Sequence, residues 1–249
     1  MKYYLIGCQV FKREAEDAIR RSPHAIETNF LPYQLHQKGG VVMQGEIQKV
    51  INAVPHGFDA ILLAYGLCNN GLVGIEAHQT PLVAFRTHDC IACLLGSNEA
   101  YQKEFTQTPG TYWLSIGWVE NANDYSQYMG AVPEIPPPDD PAWLELVEKY
   151  GEDNAQFLWE ERRKQLVNYE RMAYIDTDVG PQEVMADEAK RRAVASHLRF
   201  ERLTGDRRWI DALFADNWDP AKFVIVPPHH RIIARVNETI MDCVAIPQS

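Results

Sequence analysis

Two short segments hold most of the residues able to do chemistry. Arg86-Thr-His-Asp-Cys90 sets an imidazole and a thiol two residues apart, and Cys68 lies in the earlier turn Gly66-Leu-Cys-Asn-Asn-Gly71. Thiolate sulfur and imidazole nitrogen together suit zinc best, with iron as the alternative. A bent backbone would turn His88 and Cys90 toward one ion. Cys68 would close a three-ligand set, leaving the fourth position to Cys8, water or substrate. An open site of that kind makes a nucleophile at neutral pH by lowering the pKa of bound water or of a substrate thiol. The spacing therefore predicts a metal-dependent enzyme, a transferase or a hydrolase, with Cys68, His88, Cys90 and Cys8 as ligands.

Around this set stand residues that would hold a small-molecule substrate. Arg86 follows an apolar run, so it either pairs with an anionic group or snorkels to solvent. Asn69 offers a directional amide. Asp89 is either a catalytic carboxylate or a cap for the helix that follows. Gly66 and Gly71 belong to a turn whose amides could cradle an anion, although neither G-x-G-x-x-G nor G-K-[ST] occurs. A rival reading takes Cys90-Ile-Ala-Cys93 as a C-x-x-C dithiol at a helix N-terminus, and hence a thiol oxidoreductase. The plainest reading makes the cysteines small buried hydrophobes. His36 stands after Phe30 to Leu35, at what reads as another strand end. Cys90 is expected to be accessible, and Cys243, far from the others, to be structural.

The elements that must position these groups alternate along the chain. Tyr3 to Gly7, Asp59 to Tyr65 and Pro81 to Arg86 are apolar runs of strand length, of the kind that parallel strands covered on both faces show. Amphipathic stretches such as Phe11 to Arg21 and Ile91 to Phe105 read as helices between strands. The pattern predicts an α/β fold, a doubly wound and mostly parallel sheet in one domain over 1–249, with a helical insertion at about 121–171. Ligands then belong at the carboxyl ends of the strands, where Cys8, Cys68 and Cys90 fall.

Composition narrows the partners. Acidic residues outnumber basic ones 34 to 24, for a net charge of -10, which disfavours nucleic acid and anionic membranes. No apolar run reaches the roughly 20 residues of a membrane span, and Lys12-Arg13-Glu14 interrupts the first apolar stretch too early for a secretory leader. A cytoplasmic protein with reduced cysteines is expected.

Taken together, Tyr65-Gly-Leu-Cys-Asn-Asn-Gly71, Pro81-Leu-Val, Arg86-Thr-His-Asp-Cys90 and Leu94-Leu-Gly-Ser97 resemble the signature of an uncharacterised bacterial and archaeal family, a domain of unknown function. The matching positions are Cys68, Asn69, Gly71, Arg86, His88, Asp89 and Cys90, while Cys93 departs from the pattern. The resemblance implies genes near corrinoid-dependent methyltransferases. It thereby implies a place in one-carbon metabolism, with either a catalytic role or a noncatalytic one, binding a metal, a corrinoid or a corrinoid protein.

Overall fold

The computed structural model describes residues 1–121, 136, 138–166 and 168–247. The chain opens with β1 (Lys2–Cys8), a 3-10 turn and α1 (Lys12–Arg21), then β2 (Ala25–Leu31), a second 3-10 turn over Tyr33–Lys38 and α2 (Gly40–Ala53). Next come β3 (Ala60–Ala64), the short β4 (Glu76–Ala77), β5 (Leu82–Phe85), α3 (Cys90–Leu95) and α4 (Asn98–Gln107). β6 (Thr111–Ser115) and α5 (Ile116–Asn121) lead to the helical pair α6 (Pro141–Tyr150) and α7 (Glu152–Leu166). β7 (Arg171–Asp176), α8 (Gln182–Ala195), β8 (Arg199–Thr204), α9 (Arg208–Phe214), β9 (Phe223–Val226), β10 (His230–Ala234) and β11 (Met241–Ala245) complete the order.

The α/β expectation holds, but the strands fall into three sheets. The largest has the order β2-β1-β3-β5-β9, with β1, β2, β3 and β5 parallel and β9 antiparallel. Every residue of β3 and β5 is buried, as their unbroken apolar runs require of central strands. β6, β7 and β8 do not extend this sheet. β9 pairs along β5 from Phe85–Phe223 to Leu82–Val226 and takes the edge they would have needed. They form a parallel sheet of their own, whose core packs Leu114, Met172 and Tyr174 against Ala186, Ala189 and Ala193 of α8. A third, antiparallel sheet joins β4, β10 and β11.

One detail departs locally from the pattern. The single helix expected over Ile91 to Phe105 is two, because Gly96 turns left-handed at φ 83 and the Ser97 hydroxyl caps α4 by accepting the Ala100 amide at 3.0 Å. Within the expected insertion, α6 and α7 are helices: Asp140 Oδ1 accepts the Trp143 amide, Pro141 opens α6, and Trp143 meets Trp159 of α7 edge to face. The 122–135 part of that expectation lies outside the described residues.

The first sheet and the β6-β7-β8 sheet meet along a tight seam. A side chain at Gly117 of α5 would collide with the Val10 carbonyl, and Arg13 of α1 forks onto Glu120 at 2.7 Å. Within the seam Glu14 is fully buried. Its Oε1 accepts the Thr177 hydroxyl at 2.8 Å, and its Oε2 has no partner among the described residues. Burial pushes the Glu14 carboxyl up to about 7, against the opposing pull of Thr177 and Arg207. A carboxyl whose folded pKa is raised binds its proton more tightly in the folded state. Its contribution is therefore present at low pH and lost as the pH climbs from the ordinary carboxylate range through about 7. Urea titrations from pH 5.5 to 8.5 should show stability falling by on the order of 2–3 kcal/mol, and Glu14→Gln should flatten that slope. An unchanged slope in the variant would locate the pH dependence elsewhere.

Candidate functional site

The chemistry-bearing turns are held side by side. β3 and β5 are parallel neighbours, and their pairing continues past the strands: the Leu67 amide donates to the Thr87 carbonyl at 2.8 Å and the Cys68 amide to the His88 carbonyl at 2.9 Å. The second loop is fixed from behind by Asn98, whose amide donates to the Arg86 carbonyl while its Oδ1 accepts the buried Thr87 hydroxyl at 2.8 Å. Cys68, Asn69 and Asn70 follow one another with φ of 39, 54 and 62. Left-handed backbone costs a β-carbon-bearing residue roughly 1–2 kcal/mol, less for asparagine. The inter-loop bonds and the Gly71 amide on the Cys68 carbonyl, at about 1 kcal/mol each, offset that strain.

The two glycines explain why the turn can lie so close. A β-carbon at Gly66 would stand 2.9 Å from the Asp89 main chain, and one at Gly71 would strike Met43 of α2. Neither residue lines the pocket described below. Their role is close approach, not the anion cradle expected from the sequence.

Between the first sheet and the β6-β7-β8 sheet lies a cavity of about 380 Å³. Its floor is Cys68, Asn69, His88, Asp89 and Cys90, at the carboxyl ends of β3 and β5, and His36 contributes from the second 3-10 turn. The opposite wall is aromatic: Tyr112 and Trp113 of β6, Trp118 of α5, and Tyr169 just before β7. Strand polarity places the floor as expected, whereas the wall uses the first half of β6.

Each sequence candidate can now be placed. Asp89 caps α3, its Oδ1 accepting the Ile91 amide at 2.9 Å and the Ala92 amide at 3.4 Å, so the positive end of that helix is already satisfied. Desolvation raises its pKa, the amides and the Tyr101 hydroxyl opposing. Asn69 lines the cavity and donates to the His36 carbonyl at 3.2 Å. Arg86 does not enter it. Its guanidinium donates to the carbonyls of Pro220, Thr239 and Met241, pinning the C-terminal segment to the sheet. The expectation that Arg86 binds substrate is corrected accordingly.

The metal expectation is overturned. Among the described residues no group of three or more His, Cys, Asp or Glu side chains is arranged to hold a metal ion. Cys68, His88, Cys90 and Cys8 are neighbours in the fold without converging as a zinc or iron ligand set. His88 is exposed at the rim, Asp89 is turned to the amides of α3, and the Cys8 sulfur faces His36. Burial, reinforced by proximity to one another and to Asp89, drives Cys68 and Cys90 up in pKa, and burial pushes Cys8 up to about 12. These are protonated thiols, the opposite of metal-ready thiolates.

The oxidoreductase reading fails with it. Cys90 and Cys93 are free thiols in a buried helix, and both are raised rather than lowered by their surroundings. Cys90, expected to be accessible, is only 7% exposed. Cys243 lies outside the cavity on β11, its thiol against the Ile225 carbonyl. His36 and the aromatic wall were not among the sequence candidates for the site. Only the placement of His36 at a strand end hinted at it.

Residues 30–214 match the family described as a protein of unknown function, DUF1638, and the chain belongs to that family. No curated protein and no solved structure matches it. Among the described residues no helix is long and apolar enough to cross a membrane.

Two outcomes follow from this geometry. Iodoacetamide at pH 7.5 should label the half-exposed Cys243 at least roughly tenfold faster than Cys68 or Cys90, since only thiolates react and burial suppresses them; peptide mapping showing equal rates would contradict the buried, protonated floor. Gly66→Ala should cost roughly 1–3 kcal/mol by overpacking against Asp89, measured as a lowered urea midpoint, and a neutral substitution would show that the two loops can part.

Proposed function

We propose that this chain binds a small organic molecule that is uncharged or positively charged, in the cavity between the first sheet and the β6-β7-β8 sheet. The observation that carries the reading is the composition of the walls. Four aromatic rings face a floor of neutral thiols, an amide, a carboxyl and the rim imidazole of His88, and no Lys or Arg is among the described lining residues. Neither of the two arginines nearest in sequence lines the cavity: Arg86 donates to main-chain carbonyls, and Arg171 pairs with Glu104 and Glu201, donates to the Thr111 hydroxyl and lies over the Trp113 ring, with its Nη2 unpartnered among the described residues. Burial also lowers the His36 pKa, keeping that imidazole neutral. An anion would meet no Lys or Arg among the described lining residues, whereas apolar, aromatic and cationic groups meet ring faces.

The volume, near the lower end for ligand pockets, suits a substrate-sized molecule. A corrin macrocycle is larger, so a corrinoid would engage the cavity only through a peripheral group. Because floor and wall come from different sheets, the chain acts in this reading as one domain.

Three probes of nearly equal size test the reading: benzylamine, benzyl alcohol and benzoate, followed by ligand-observed NMR with protection of Cys68 and Cys90 from slow alkylation. The amine and the alcohol should bind at least about tenfold more tightly than benzoate, and Trp118→Ala should weaken both. Equal binding of benzoate, or binding indifferent to Trp118→Ala, would refute it.

A further inference from the structure

The cavity has one imidazole that is built in rather than left at the rim. His36 is half-buried, its ring packs against Trp118 with centroids 6.2 Å apart, and its carbonyl is held by Asn69. Its Nε2 lies 3.5 Å from the sulfur of Cys8, a side chain only 2% exposed at the end of β1. Two neutral groups meeting in this way have two possible proton arrangements. Sulfur is a poor acceptor and imidazole nitrogen a good one, so the favoured arrangement is S–H donating to Nε2. The Val10 amide, set against the Cys8 sulfur, already fills the acceptor side of that atom. The imidazole proton then resides on Nδ1. That nitrogen has no hydrogen-bond partner among the described residues and is not a buried unsatisfied atom, so it is an accessible donor on a ring that lines the cavity.

We infer that Cys8 is a positioning residue: its thiol fixes His36 as the Nδ1–H tautomer, so that the cavity presents one N–H donor among its apolar walls and selects a ligand with a hydrogen-bond acceptor at that point. The inference rests on the small-molecule reading of the cavity and sharpens it, giving the ligand a carbonyl, ether or similar oxygen or nitrogen. It also gives Cys8 a role that needs no thiolate. A second-sphere partner commonly fixes an imidazole in this way, and here a thiol takes the place usually held by a carbonyl or carboxylate.

The test has a spectroscopic arm that requires no ligand. Long-range 15N–1H spectra of the full chain, with His36 assigned, should show the Nδ1–H tautomer in the wild type and in Cys8→Ser, whose hydroxyl can still donate. In Cys8→Ala the imidazole should move toward the Nε2–H form. An Nε2–H tautomer in the wild type, or a tautomer unmoved in Cys8→Ala, overturns the inference, and the wild-type and Cys8→Ser spectra decide it even if the alanine variant does not fold. The binding arm compares acetophenone with ethylbenzene, alike in shape but differing in an acceptor. Cys8→Ala should weaken acetophenone roughly two- to tenfold, the worth of one hydrogen bond, leave ethylbenzene unchanged, and be rescued by Cys8→Ser. Equal loss for both probes would overturn the donor role while leaving the cavity reading intact. Failure of both to bind the wild type would instead remove the cavity reading, with the tautomer still decided by the spectra.

Discussion

Everything at the site depends on two main-chain hydrogen bonds that continue the β3–β5 pairing beyond the strands themselves. Without the Leu67–Thr87 and Cys68–His88 bonds, the loops would separate at the point where parallel strands normally hand over to their crossovers. With them, Cys68 is carried alongside Cys90, and the left-handed run at Cys68, Asn69 and Asn70 becomes tolerable. The glycines at 66 and 71 are consequences of the same closeness, since a side chain at either would meet Asp89 or Met43.

That closeness also decides the chemistry. Thiols brought together under cover, with a carboxyl beside them, each make ionisation of the others harder. The same residues in an open, electropositive loop would be nucleophiles or ligands. Asp89 reinforces the effect by taking up the amides of α3, which would otherwise have been the one nearby source of positive potential for a thiolate.

Much of the first sheet was legible in the sequence, because β3 and β5 are uninterrupted apolar runs bounded by polar turns, and strand polarity then put Cys8, Cys68 and Cys90 at one end. Adjacency could be read; side-chain orientation and protonation could not, and a His-x-Cys pair says nothing about whether its imidazole faces inward. α2 escaped notice because Gly39, Gly40 and Gly45 weaken its local propensity, although Met43, Ile47 and Ile51 bury one face at helical spacing. The division into separate sheets was also hidden. β6 and β7 have the same strand-length character as β1 and β3, and only the return of β9 antiparallel to β5 shows that the first sheet is closed to them. The aromatic wall was illegible for a similar reason: Tyr112, Trp113 and Trp118 look like any residues headed for a core.

The seam between the sheets gives the molecule two hydrophobic cores with a cavity between them. The smaller core is centred on β6, β7 and α8, although Trp113, Ile175 and Leu203 of the same sheet reach the larger one, so the empty chain can open in two stages, the smaller core loosening while the larger stays formed. A molecule that touches Cys90 on one side and Tyr112 on the other is a bridge between those stages. By mass action it favours only states in which both cores are in place. Occupancy would thus be read in the cooperativity of unfolding as well as its midpoint, with two overlapping transitions drawn into one.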